Sequence, residues 1–218
     1  DYEARKQRLL DRDKLSPAEI DTLTKEFDRF EKIVPSSFTS SIWYNPKNPK
    51  ILNYFTSALA HANFLHLLFN LIFFFVFSIA VEQTLGHLFY LVFFCASCIS
   101  TTLAYQYGGF NFHSTVPTLG LSAVITSFMA FLCVVYPQKK VFVLFWIFVI
   151  YKILRIPILF VVAFYIATDL YGIRYLTKES NINYLSHLAG SASGFFVGIL
   201  YLAYQYMARR VKSIQQDQ

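Results

Sequence analysis

The chain is 218 residues long, 56% hydrophobic and 19% aromatic but only 15% charged, a balance that argues against an ordinary soluble domain and points to a polytopic membrane protein. A net charge of +6 would suggest nucleic acid as the partner of a soluble protein; here the basic residues cluster in short loops, so membrane topology accounts for them and no nucleic acid is expected. The three cysteines, Cys95, Cys98 and Cys133, fall inside apolar segments, which argues against a disulfide framework or a zinc site and leaves Cys95-x-x-Cys98 to helix packing.

Nine of the 13 acidic residues lie between Asp1 and Glu31, so a polar N-terminal region (1–50) precedes a bilayer-adapted unit (51–208) and a basic tail (209–218). The chain does not begin with Met, which sets the natural start upstream or implies a removed segment. Ser16-Pro17-Ala18-Glu19 has the N-cap, first-turn proline and reciprocal glutamate of a capping box and predicts a helix. Along it Ile20, Leu23, Phe27, Phe30 and Val34 form an apolar stripe opposite Asp21, Lys25, Glu26 and Lys32. Such a helix either packs on the rest of the protein or lies on the membrane or at the mouth of a site. Pro35 to Lys50, with Pro46 and Pro49, reads as a loop.

Five hydrophobic stretches follow, near 62–81, 87–107, 117–136, 157–173 and 185–208, each close to the roughly 20 residues that a spanning helix needs. Val141 to Tyr151 is apolar too, but Lys139-Lys140 before it and Lys152, Arg155 and Pro157 behind it leave an interfacial or re-entrant piece rather than a crossing. Those basic residues share one side with Arg209, Arg210 and Lys212, which makes that side cytoplasmic. The loops Gly108–Pro117 and Asp169–Asn183 are then outside, and Ser122 lies just beneath the outer face.

Polar groups gather at that depth. Ser122 sits in Thr118-Leu119-Gly120-Leu121-Ser122-Ala123 at the start of an apolar helix, where free N–H groups favour negative charge. It either eases helix packing as a small residue or serves as a nucleophile whose tetrahedral intermediate those N–H groups stabilise. His66 and Asn70 are four apart and share a helix face, fitting interhelical hydrogen bonding or a site; His61 fits a bond to loop backbone. His187 opens the last stretch above Gly190, Gly194 and Gly198, whose stripe admits a close neighbour such as the helix bearing Ala123, Ser127 and Ala130. Close approach would bring His187 to Ser122. Glu82 with Gly86 ends the first spanning stretch and suits a helix or loop hydrogen bond, while His87 and His113 are given no role. No carboxylate or thiolate accompanies His61, His66 and His187, so no metal or other cofactor is expected.

From about Tyr54 to Ala203 the chain resembles the rhomboid intramembrane serine proteases. The resemblance rests, in order, on Tyr54-Phe55-Thr56-Ser57-Ala58-Leu59-Ala60-His61, His61-x4-His66-x3-Asn70, Glu82-x3-Gly86, Gly120-x-Ser122 and His187-x2-Gly190-x3-Gly194. It implies an all-α polytopic bundle and a serine endopeptidase with a Ser122–His187 dyad. It also implies an oxyanion hole from the Ser122 N–H, His66 and Asn70, with Gly120 and His61 in support. The implied substrates are transmembrane helices of other membrane proteins, cut near their outer end. The implied setting is a multi-pass protein in contact with membrane lipid, in the bacterial inner membrane with the site open to the outer face. Hydrolysis needs water, for which Asn111, Ser114, Thr115, Asn181, Asn183 and Ser186 are wetting residues. No acidic residue lies near His187 in sequence, which implies a slow enzyme.

Four positions depart from the family pattern. Ala123 replaces a frequent glycine, Thr126 a frequent aromatic against the histidine, and Leu52-Asn53 a frequent Trp-Arg pair. The family core has six spanning helices against five here, so the first lies upstream of Asp1 or is absent. A non-catalytic relative of the inactive rhomboid or derlin kind is the alternative, and a histidine-using transporter a more distant one. The oligomeric state and the particular substrate are not legible.

Overall fold

The structure, a computed structural model, describes residues 6, 9–10, 15–33, 38–108, 117–147, 150–176 and 182–216. Helix α1, Pro17–Ile33, begins where the capping box predicts: the Ser16 hydroxyl and backbone N–H both donate to Glu19 Oε2, at 2.7 and 2.8 Å. Ile20, Leu23 and Phe27 are half-buried while Asp21, Lys25 and Glu26 are exposed, as their spacing requires. Within the expected loop, Phe38–Ile42 forms a short helix, α2, and the next residues are tied down. Trp43 O accepts from Asn53 Nδ2 at 2.6 Å, and Ile42 O accepts from Thr56 Oγ1 at 2.8 Å.

After α3, Asn53–Thr56, and a 3₁₀ turn, Ser57–Leu59, come five apolar helices: α4, Phe64–Leu85; α5, His87–Tyr107; α6, Ser122–Val135; α7, Ile158–Tyr171; and α8, Tyr184–Gln216. A π-helical turn, Gly172–Leu176, prolongs α7. Four of these helices are long and apolar enough to cross a membrane: α4, α5, α7 with its extension, and α8. Helix α6 is not, because its 14 residues span about 21 Å against roughly 30 Å of hydrocarbon. Every residue from Ala123 to Cys133 is nevertheless buried, so α6 is the enclosed centre of the bundle and its neighbours carry the outward apolar surface. Phe128 packs there among Phe74, Tyr90, Phe93 and Phe94.

A short central helix leaves irregular backbone within the bundle, which is tolerable only where protein satisfies it. Thr118 N donates to Tyr44 O at 2.9 Å, Tyr44 N donates to Thr118 O at 3.0 Å, and Gly120 N donates to Ser57 O at 2.9 Å. At the opposite end α4 turns into α5 through Gly86 alone, at φ +79°, with Gly86 N bonded to Glu82 O at 2.7 Å. The Glu82 carboxylate meets His87 Nδ1 at 2.6 Å, the hydrogen-bonding role that its position suggests.

The apolar segment from Val141, expected as an interfacial or re-entrant piece, falls on two antiparallel strands, Lys140–Ile147 (β1) and Ile150–Pro157 (β2), paired from Lys140↔Pro157 to Ile147↔Ile150. Its run of Val, Ile, Phe and Trp is β-prone, and Pro137 and Pro157 bound it on either side. Asp169, assigned to an outer loop, is instead the third-last residue of α7 and is buried, because the apolar periodicity continues through it.

Candidate active site

The stripe Gly190, Gly194 and Gly198 sets the distance between α6 and α8. A Cβ on Gly190 would lie 2.1 Å from Ala123 O, on Gly194 2.0 Å from Ser127 O, and on Gly198 2.8 Å from Val134 Cβ. Only hydrogen fits at the first two positions, so the helix backbones are in direct contact. Ser122 is the first residue of α6 and His187 lies in the first turn of α8, so this contact brings the two chain segments together at one end. His187 Nε2 and Ser122 Oγ are 2.8 Å apart, a hydrogen bond across 65 residues.

Backbone ties hold both partners. Thr126, which stands where the family often has an aromatic, donates from Oγ1 to His187 O at 3.0 Å and to Ala123 O at 2.8 Å. Asn183 caps α8 by accepting from Ser186 N at 3.1 Å and donates through Nδ2 to Thr118 Oγ1 at 2.7 Å. The segment leading to Ser122 is thus pinned from Tyr44, Ser57 and Asn183. Sequence reading missed Tyr44, a fully buried residue of the supposed loop, and nothing local marks it.

On the other side of Ser122, Asn63 caps α4 by accepting from His66 N at 2.9 Å, and His66 and Asn70 lie one turn apart facing Gly120. Gly120 has φ +113°, and a Cβ on it would lie 3.0 Å from His66 Cε1, 3.2 Å from His66 Nε2 and 3.7 Å from Asn70 Nδ2. Both the backbone angle and the space therefore call for glycine. Asn70 is buried, and its Nδ2 has no hydrogen-bond partner among the described residues. A buried amide donor left unpaired costs about 1–3 kcal/mol, so its retention needs a reason. His61 packs its ring edge-on to His66, with centroids 5.2 Å apart, and its Nδ1 lies 3.1 Å from Leu59 O. Burial pulls the His61 imidazole below the ordinary histidine range, against the Leu59 bond.

His187 has a second partner, for its Nδ1 lies 3.0 Å from Asp169 Oδ1. The expectation of a histidine without an acidic neighbour fails because α7 delivers one from 18 residues away. The available signal was an ionisable residue inside an apolar stretch. A small cavity beside Ser122 is lined by hydroxyls and amides, among them Ser57, Thr101, Thr118, Asn183 and Ser186, and so is polar enough for water. Asn111, Ser114, Thr115 and Asn181 lie outside the described residues. Among the described residues, no three His, Cys, Asp or Glu side chains come together as a metal site.

This geometry can take a proton from a hydroxyl, hold it on a ring nitrogen, and offer donors beside the reacting oxygen. A family model for the rhomboid domain matches residues 48–204. Comparison with curated proteins gave no match. The match covers well over half of a chain that already has apolar helices packed round a buried one, and the protein is therefore an integral membrane protein that belongs to the rhomboid family.

Proposed function

We propose that the protein is an intramembrane serine endopeptidase that cleaves transmembrane helices of other membrane proteins near their outer end. The observation that carries this reading is the 2.8 Å contact between Ser122 Oγ and His187 Nε2 beside a polar cavity. Ser122 Oγ attacks the scissile carbonyl carbon while its proton passes to His187 Nε2. The resulting oxyanion is received by the Ser122 backbone N–H at the start of α6, together with His66 and the Asn70 amide, which has no partner among the described residues. The C–N bond then breaks, and the amine leaves with the proton from His187. Water, deprotonated by the same nitrogen, attacks the acyl carbon; the C–Oγ bond breaks, the new carboxyl terminus leaves, and His187 returns the proton to Ser122 Oγ. No metal or cofactor has a part in this sequence.

The site opens to the outer face in this reading, with the bacterial inner membrane as the setting. Lys139, Lys140, Lys152, Arg155, Arg209, Arg210 and Lys212 belong to segments at the opposite end, which the positive-inside tendency makes cytoplasmic. A non-catalytic rhomboid-like binding factor is the alternative. Against it stand a paired serine and histidine and a buried donor with no partner among the described residues. Labelling of the detergent-solubilised protein with a fluorophosphonate tests the choice: the intact chain reacts and Ser122→Ala does not. Labelling that survives the substitution would remove Ser122 from its role.

A further inference from the structure

Asp169 lies in the last turn of α7 with 3% of its surface exposed. Burial strips this carboxylate of its hydration, a cost that its retention has to offset. Its Oδ2 has no hydrogen-bond partner among the described residues, while its Oδ1 lies 3.0 Å from His187 Nδ1. Simple attachment of α7 to α8 would be served by a neutral amide. A carboxylate is the better choice only where the ring opposite it becomes cationic.

A second feature directs the same pair together. Gly172 stands one turn beyond Asp169, and Tyr184 one turn before His187; a Cβ on Gly172 would lie 2.4 Å from two carbons of the Tyr184 ring. The missing side chain lets the end of α7 come close enough to the start of α8 for an aspartate to reach the imidazole. The chain changes to π-helical winding at this point, over Gly172–Leu176, a departure found often at functional sites.

We propose that Asp169 is a positioning residue that completes a Ser122–His187–Asp169 triad, an inference that rests on the protease reading above. The carboxylate accepts a hydrogen bond from Nδ1–H, which fixes the tautomer whose Nε2 lone pair faces the Ser122 hydroxyl and stops the ring from rotating. When Nε2 takes the serine proton the imidazolium forms beside an existing negative charge, and the buried pair becomes neutral overall. The proton stays on His187 and Asp169 is never protonated. The group that opposes folding by its burial thereby favours the acyl-transfer transition state.

The test compares fluorophosphonate labelling of the unaltered protein with that of Asp169→Asn and Asp169→Glu, separating kinact from KI, with thermal unfolding as the check on folding. An asparagine keeps the interhelical link but can donate to Nδ1 and select the wrong tautomer. Asp169→Asn is expected to lower kinact by on the order of 10³–10⁴, as loss of the orienting carboxylate does in other triad enzymes, with KI and unfolding temperature unchanged. Asp169→Glu restores part of the rate. Wild-type kinact in folded Asp169→Asn would overturn the proposal. A measurement on the unaltered sequence stands if the variants do not fold: ¹⁵N-histidine spectra, with His187 assigned by its loss in His187→Gln, show the Nδ1–H tautomer at neutral pH. An Nε2–H tautomer there would equally overturn it. Ser122→Ala separates the two readings, since persistent labelling in that variant sinks the protease and leaves the tautomer to decide the role of Asp169.

Discussion

Replacing Gly194 by alanine tests whether the contact between α6 and α8 is what holds Ser122 to His187. The added carbon would stand 2.0 Å from Ser127 O, 2.8 Å from Ser127 C and 2.9 Å from Ala130 Cβ. Two of these are backbone atoms that cannot turn aside as a side chain would. An unstrained approach to the oxygen needs about 3.4 Å, so the helices must part by roughly 1.4 Å. His187 lies seven residues earlier, roughly 10 Å along α8. A rigid displacement of this size takes the Ser122–His187 contact from 2.8 Å to about 4 Å, outside hydrogen-bonding range. The packing strain itself costs about 1–3 kcal/mol, which lowers the unfolding temperature without abolishing the fold. Loss of a positioned general base typically removes 10²–10⁴ in rate, so fluorophosphonate labelling should fall by at least about 100-fold. Gly86→Ala is the control: it forces a φ of +79° on alanine, but among the described residues no atom beyond its chain neighbours lies within 4 Å of the new carbon. It should cost about 1–3 kcal/mol in stability and keep its labelling rate. If Gly194→Ala folds and labels at the wild-type rate, the two backbones are not what sets the geometry of the site.

Asn70→Ala is expected to reduce turnover of a transmembrane reporter substrate by about 10²–10³ without lowering the unfolding temperature, because the lost donor has no partner among the described residues. A parallel fall in stability and activity would make Asn70 a packing residue instead. At the other end of the chain, hydrogen bonds from the Ser16 hydroxyl and then the Ser16 backbone N–H hold the Glu19 carboxyl below the usual glutamate range. A carboxyl depressed in the folded state stabilises above the unfolded value of about 4.3, and that contribution is lost as pH falls through its lowered folded value. Amide protection in the first turn of α1 should therefore weaken over this acidic window. Ser16→Ala should flatten the change, and an unaltered pH response in that variant would refute the cap.

What could be read from the residues alone was whatever local chemistry fixes. Apolar runs located the starts of the five apolar helices to within about five residues, Ser16-Pro17-Ala18-Glu19 started α1, and Gly86 closed the turn after α4. The glycine stripe foretold a close helix pair, because a missing side chain has one physical use in such a position. Other features lay beyond it. The enclosure of a 14-residue α6, the pairing of Tyr44 with Thr118 and the strand conformation of Lys140–Ile147 and Ile150–Pro157 depend on what surrounds each segment. Asp169 is the sharpest case: periodicity marked an acid at the edge of an apolar run and assigned it to solvent, whereas the packing of α7 on α8 turned it toward His187. Sequence determined which groups were available and on which helix faces, since propensity and periodicity act over one or two turns. Which of those groups meet was decided by the crossing of helices tens of residues apart, a property of backbone contact that no single stretch contains.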